Sequence, residues 1–421
     1  MTEIRSDAAR DLESDTTRRW RALSLGLAAL FLAACGLGRP LVRVPETLSD
    51  ADLALGFAQG KNRDSGDFAE QVVIRGKLSD GGLFYAKLQV SNLANTDGRA
   101  SVNVDVKLGD GRKATYSEKK EKGDWRWDSG RLYAQVGDAT FEVKVGEAHV
   151  VVDGPDFAVD VRVTSKMPAI RPAGGLFDSG GAFYVTTIPI PRGKLEGTLE
   201  VRTPLKRPEP EPKPEPSTDV TAEAETPEEG EPDESVPDDE KLIELEGIGF
   251  ADHRAGNLPP YLLAHAWYNI LNIGEDRTVV MSAFEPVRKT AENGTVTKKP
   301  VRGWIFAAND DELVLYEPVI DVWAQGIARD QPTGYELPQI VRVADPGHAS
   351  FKGVIVTGPL SERKDDLANL KKLERIVVKQ FMKPWTFRFD QARFLFRKQP
   401  VGEPSFEVRG AERFQYQQLK E

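Results

Sequence analysis

Apolar and polar residues alternate with a period of two along much of this chain. Val102, Val104, Val106 and Leu108 alternate with Asn103, Asp105 and Lys107, and Gly109-Asp110-Gly111 follows as a hairpin signal. Phe141, Val143 and Val145 repeat the pattern, as do Phe157, Val159, Val161 and Val163. Gly137-Asp138 and Pro155-Asp156 punctuate the runs as turns. Leu83-Phe84-Tyr85 and Phe183-Tyr184-Val185 read as strand starts, each preceded by a Gly-Gly pair. Short strands separated by turns, with little helix, predict a mainly β, antiparallel sandwich or barrel.

The pattern stops between Thr203 and Glu240, where Pro-Glu repeats replace it, and resumes at Ile243. Such a segment cannot bury enough apolar surface to offset its ordering entropy, so it reads as a disordered acidic linker. Beyond it, Thr278 to Phe284, Gly303 to Ala307, Leu313 to Tyr316 and Gly353 to Thr357 read as strands, with Asn309-Asp310-Asp311 as a turn. Asp365 to Lys383 places Leu367, Leu370, Leu373, Ile376, Val377 and Phe381 on one helical face, and Pro384 ends it. Phe387, Phe389, Phe394 and Phe396 return to alternation, and Phe406 to Gln417 closes the chain. The expected organisation is a leader over 1–35, a spacer over 36–65 with a short helix around Leu48 to Gln59, a first β domain over 66–202, the linker over 203–240, and a second β domain over 241–421.

The leader has its own signature. Arg18, Arg19 and Arg21 precede an apolar run from Ala22 to Ala34 that is shorter than a membrane span, and Leu32-Ala33-Ala34-Cys35-Gly36 follows. This resembles a bacterial lipobox, in which the thiol of Cys35 would carry the lipid. An uncleaved anchor helix over Ala22 to Gly38 is the alternative, with the arginines inside. Thr17 to Leu23 also resembles a twin-arginine export signal. Each reading places residues 40–421 outside the cytoplasm, in a bacterial cell envelope. Cys35 is the single cysteine, so no internal disulfide can form.

Charge narrows the partners. The formal net charge is −10, but Pro208 to Glu240 holds 14 acidic residues and one lysine, so the remainder is slightly positive. The acidity belongs to the linker. No basic run is interleaved with aromatics, which gives no support to nucleic-acid binding. The four histidines (His149, His253, His265, His348) offer no metal-ligand spacing beyond the pair His253 and His265, and neither a metal nor another cofactor is expected.

Several stretches together resemble the two-domain lipocalin-like family of AttH-type bacterial proteins, carotenoid hydratases (hydroxyneurosporene synthases), tocopherol cyclases and survival-factor-like lipid-binding proteins. In the first half these are Phe84 to Asn92, Pro168-Ala169-Ile170-Arg171-Pro172, Phe183-Tyr184-Val185, Ile188-Pro189-Ile190-Pro191 and Gly193 to Gly197. In the second they are Gly247-Ile248-Gly249-Phe250-Ala251-Asp252-His253, Gly256-Asn257 and Trp267. The chain departs from the family pattern at Phe250, where tyrosine is usual, at Ala251, where histidine is, and at Arg254-Ala255, where Asn-Trp is. Those departures remove part of the machinery for acid chemistry on an isoprenoid double bond. The resemblance implies two lipocalin-like β-barrels side by side, each able to enclose one small apolar ligand.

The densest polar cluster is Asp252, His253, Arg254, Asn257 and His265. If the chain is an enzyme, Asp252 is the general acid, with a pKa raised by burial, and His253 orients it. Turn and backbone hydrogen bonding is the structural alternative for both. Trp267, Asn257, His265 and Trp304 are the candidate ligand-binding residues, since aromatics line apolar cavities well. The leading expectation is non-catalytic binding or carriage of a lipid or isoprenoid at the envelope. A hydratase- or cyclase-like enzyme and a structural envelope lipoprotein are the alternatives.

Overall fold

The structure, a computed structural model, describes residues 45–58, 66–92, 97–172, 176–179, 182–205, 241–257, 263–286, 289–290, 296–297, 301–348, 350–368, 375–376, 379, 384–399 and 406–419. Among them the expected mainly β, antiparallel architecture is present, in two bodies. Strands β1 (Ala69–Leu78), β2 (Leu83–Ser91), β3 (Arg99–Lys107) and β4 (Lys113–Lys120) form one meander. Strands β5 (Arg126–Trp127), β6 (Leu132–Val136), β7 (Ala139–Lys144), β8 (Glu147–Asp153), β9 (Phe157–Thr164) and β10 (Ala182–Val201) form a second. Strand β11 (Leu242–Gly256) lies between them, paired with β1 on one side and β10 on the other. The order β4-β3-β2-β1-β11-β10-β9-β8-β7-β6-β5 curls into a half-barrel.

The alternation seen in the sequence sets which side chains fill it. Val102, Val104, Val106, Phe141, Val143, Phe157, Val159, Val161 and Val163 share one core. Val145, in phase by sequence, falls past the end of β7 and is exposed. Gly111 turns the β3–β4 hairpin with φ of 90°, where a side chain would be strained.

The acidic segment begins and ends at one place. Glu200 is in register with Leu242, and the Val201 amide donates to the Lys241 carbonyl at 2.8 Å. Residues 203–240 therefore close a β10–β11 hairpin of the first body, and β11, placed by sequence at the head of the second domain, is hydrogen-bonded into the first sheet. Gly247 is needed there: a Cβ would sit 2.1 Å from the Lys77 carbonyl oxygen on β1.

The second body runs β12 (Ala264–Ile273), β13 (Thr278–Pro286), β14 (Val301–Ala308), β15 (Leu313–Arg329), β16 (Glu336–Ala344) and β17 (Phe351–Val356) as a meander. Strand β18 (Leu360–Asp365) follows, then β19 (Trp385–Lys398) and β20 (Phe406–Gln418). Strand β20 pairs with β12 and β19 with β17, which closes an eight-stranded barrel, with β18 on the first half of β19. Phe351, Phe387, Phe389, Phe394, Phe396 and Phe414 fill its interior.

The outer faces of the two bodies meet. Met167, Ile170, Ile188 and Phe250 of the first pack on Ile273, Val280, Trp304 and Phe306 of the second. Arg192 of β10 is 1% exposed and fastens the seam: it donates to the carbonyls of Gly274 and Glu275 and pairs with Asp310 at 2.6 Å.

The expected helix over Asp365 to Lys383 lies mostly outside the described residues. Asp365 itself ends β18, a turn occupies 366–368, and 375–376 and 379 are helical. The spacer helix around Leu48 to Gln59 is two short pieces, Asp50–Leu53 and a 3-10 turn Gly56–Ala58. The leader with Cys35, and residues 206–240 of the acidic segment, lie outside the described residues. Among the described residues no helix is long and apolar enough to cross a membrane.

Candidate functional site

Neighbouring residues on a strand face opposite sides, so the cluster singled out in the sequence is divided in two. On β11, Ala251 and Ala255 belong to the half-barrel core while Phe250 belongs to the seam. His253 accordingly points into the half-barrel, and Asp252 and Arg254 point to its outer face.

The outer face holds a group of charges. Register carries Asp252 across Val73 of β1 to Lys87 of β2, and places Arg75 opposite Tyr85. Asp252 is fully buried. Arg75 Nη1 reaches its Oδ1 at 2.6 Å, and Arg254 Nε lies 2.7 Å from its Oδ2. The second contact is close but poorly aligned for a hydrogen bond, so it holds by charge. Burial alone would push the Asp252 carboxyl up, but the guanidiniums of Arg254 and Arg75 outweigh it and hold the group below the usual carboxylate range. This is the reverse of the raised pKa that a general acid needs, so the geometry gives Asp252 a charge-pairing role in place of the expected proton donation.

Lys87 stands beside this pair. The side chain is half-buried, and its ammonium has no hydrogen-bond or ion-pair partner among the described residues. Burial, reinforced by Lys364, Arg75 and Arg254, pushes it down to about 8, against an opposing pull from Asp252. Lys364 comes from β18 of the second body. Arg75 and Arg254 thus hold the carboxylate, and Lys87 stands near both of them and near Lys364. The aromatic side of the same seam begins at Arg254: Tyr184 borders it, and Trp267 lies 5.5 Å from Tyr184 and 5.4 Å from Phe284 between ring centroids. Leu263, Ala264 and Leu419 complete that apolar cluster.

The inner face holds a buried dyad. His253 Nε2 and Glu70 Oε1 are 2.6 Å apart, and His253 Nδ1 is buried with no hydrogen-bond partner. Glu70 also accepts the amides of Gly56 and Phe57 at 2.8 and 2.9 Å, which pins the 3-10 turn onto the sheet. Phe57, Phe68, Trp125, Trp127 and Phe183 form a chain of ring contacts there. Glu70 was missed by sequence reasoning, yet a signal existed: it falls in phase with Val72 and Ile74, on the face that goes to the core.

The other candidates fall in different places. Trp267 and Trp304 both lie on the outside of the second barrel, against the first body, with Trp304 stacked on Phe306 at 5.9 Å. The expected position inside a barrel is not theirs, because each is one residue out of phase with the barrel core (Ala266 and Tyr268, Ile305). Asn257 ends β11 by exchanging two hydrogen bonds with Phe183: its Oδ1 accepts the Phe183 amide at 2.7 Å and its amide donates back. His265 is buried, and its carbonyl accepts the Leu419 amide at 2.9 Å. Among the described residues no three His, Cys, Asp or Glu side chains converge as a metal site would require. A cleft of about 460 Å³ opens at the other end of the first sheet, lined by Asp80, Leu108, Asp110, Arg112, Leu242 and Ile243.

No family model matches the chain, and no curated protein matches it. Solved structures do show likeness. An AttH candidate from Nitrosomonas europaea is 11% identical over 86% of this chain and 96% of its own, with a TM-score of 0.45. Kievitone hydratase from Nectria haematococca is 11% identical over 89% of this chain and 98% of its own, at 0.43. CghA is 12% identical over 90% of this chain and 93% of its own, at 0.49. The AttH-type proteins named by the sequence resemblance are thus among the structural neighbours. Likeness at this level carries no argument about activity.

Proposed function

We propose that this protein binds, without chemical change, a small amphipathic molecule that carries an acidic group. The acidic group sits on Lys87 within the surround of Arg75, Arg254 and Lys364, and the apolar part lies toward Tyr184, Trp267 and Phe284. One observation carries this reading: Lys87 is a half-buried side chain, flanked by cations, whose ammonium is unpartnered among the described residues. A carboxylate, phosphate or phenolate there would restore charge balance, since a desolvated charge is costly until it is paired. The reading moves the expected ligand from the inside of a barrel to the seam between the bodies.

The test compares hexadecanoate with hexadecanol by calorimetry on the full-length chain. A charge-assisted hydrogen bond is worth about 1.5–3 kcal/mol, so the acid should bind roughly ten- to a hundredfold more tightly than the alcohol. Lys87→Met should erase that preference without altering the unliganded fold. Affinity for the acid should also fall as pH rises through about 8, because the ammonium is then lost. Equal binding of acid and alcohol, or a preference that survives Lys87→Met, would defeat the proposal.

We also propose that the chain is held at a bacterial membrane by a lipid on Cys35, as the lipobox-like Leu32 to Gly36 suggests. A fatty-acid label fed to expressing bacteria should enter the protein, and Cys35→Ser should abolish both the labelling and membrane fractionation. Retained fractionation in Cys35→Ser would favour the uncleaved anchor.

A further inference from the structure

The outer wall of the second barrel, away from the seam, carries large apolar side chains in the open. Trp323 is 37% exposed, Ile327 57% and Val356 47%. Register places them together: Trp323 and Ile327 are on β15, opposite Arg342 and Pro338 of β16, and Val356 of β17 lies opposite Ile340. Their inward-facing neighbours Val322, Val341 and Ile355 are in the barrel core, so these side chains face outward. Three large exposed apolar side chains thus share one outer wall, interleaved with Gln325 and Arg342, an arrangement that suits a contact face.

The charges around it have one sign in excess. Arg342 opposes both Trp323 and Val354, Arg393 opposes Val356, and Lys352 opposes Arg397 on the same wall. Arg397 and Arg409 are neutralised in part by Glu407, which both contact. Two further acidic groups border the wall: Asp321 is half-buried, and Glu336 stands opposite Arg329 at the far end of β15. Neither Lys352 nor Arg393 has an ion-pair partner among the described residues. Exposed tryptophan and branched aliphatics beside unpaired cations match the chemistry of a lipid interface, where rings sit at headgroup depth and cations meet anionic headgroups.

We infer that this wall is a membrane-contact face, which rests on the surface of a bilayer containing anionic lipid. It is independent of the ligand proposed at the seam. In a tethered protein it would fix the orientation of the barrel on the bilayer, with the β15–β17 side down.

Full-length protein reconstituted into vesicles containing brominated lipid tests this, because bromine quenches only tryptophans at the bilayer. The signal belonging to Trp323 is the difference between the native protein and Trp323→Phe. It should be quenched in vesicles containing phosphatidylglycerol, largely spared in pure phosphatidylcholine, and lost in an Arg342→Glu, Arg393→Glu double variant. Because the comparison follows one side chain, an N-terminal anchor contributes equally to every arm. An unquenched Trp323 in anionic vesicles would overturn the inference. So would sedimentation showing self-association that Ile327→Ser abolishes, since the wall would then be an interface between copies.

Discussion

Asp252→Ala should destabilise the folded protein by about 3–5 kcal/mol, the range for removing one partner of a buried charge pair. The carboxylate is fully buried, and without it Arg75 and Arg254 lose the charge they both hold, beside Lys87 on the same face of the first sheet. Asp252→Asn keeps the shape and removes the charge, so it should cost nearly as much. If the loss were mainly of packing, asparagine would be close to neutral. Adding Arg254→Met to Asp252→Asn should recover part of the stability, which a cavity effect would not do. The pH dependence follows from the direction of the shift. Asp252 is held below its ordinary 3.8, so its contribution is fully present above that value and is lost as pH falls through the lower, folded value. Urea titrations near neutral pH and in acid read both effects. A neutral-pH loss under about 1 kcal/mol, the usual worth of an exposed pair, would remove Asp252 from this role.

Cutting the chain within the acidic segment should leave the protein in one piece. A site-specific protease sequence placed between Ser217 and Gly230 would, once cleaved, yield two fragments that elute together and separate only in denaturant. The reason lies in β11, which is held along both edges, by β10 and by β1 of the N-terminal fragment. Each ladder hydrogen bond contributes about 0.5–1.5 kcal/mol net, and separation would also bare the buried Leu245, Ala251 and Ala255. Two barrels joined like beads would instead part after cleavage. Fragments that separate in native gel filtration would contradict the hairpin. Deleting residues 206–240 behind a short turn should likewise leave the sheet intact, since Val201 and Lys241 already touch.

Much of this fold could be read from local pattern, and the exceptions have physical causes. The alternation over Val102 to Val106 and Phe157 to Val163 assigns each side chain to a face, and the structure buries those residues in one core. Alternation says nothing about which strand lies alongside. That is why β11 could be recognised as a strand while its place in the first sheet could not. The Gly247-x-Gly249 signal was visible, and its cause, contact with the Lys77 carbonyl and with Val163, became plain only with the neighbours known. Asp252 and His253 stand out in the sequence as adjacent polar residues after an apolar stretch, and the period of two sends them to opposite faces of β11 in the structure. Arg75 and Lys87 alternate with core residues and read as an ordinary solvated face. Only the second body, by covering that face, makes them unusual.

The position of β11 also sets an order of events during synthesis. The meanders β1–β4 and β5–β10 are built from neighbours in sequence and can pair as they emerge. Their open edges, β1 and β10, stay bare until residues up to Gly256 have been made, because the strand that joins them comes last. Exposed strand edges recruit other chains, so the nascent protein passes through a window in which it is most vulnerable to aggregation. A chain that stalls before β11 carries two sticky half-sheets, and one that crosses a membrane unfolded defers the danger until its keystone strand has arrived with them on the other side.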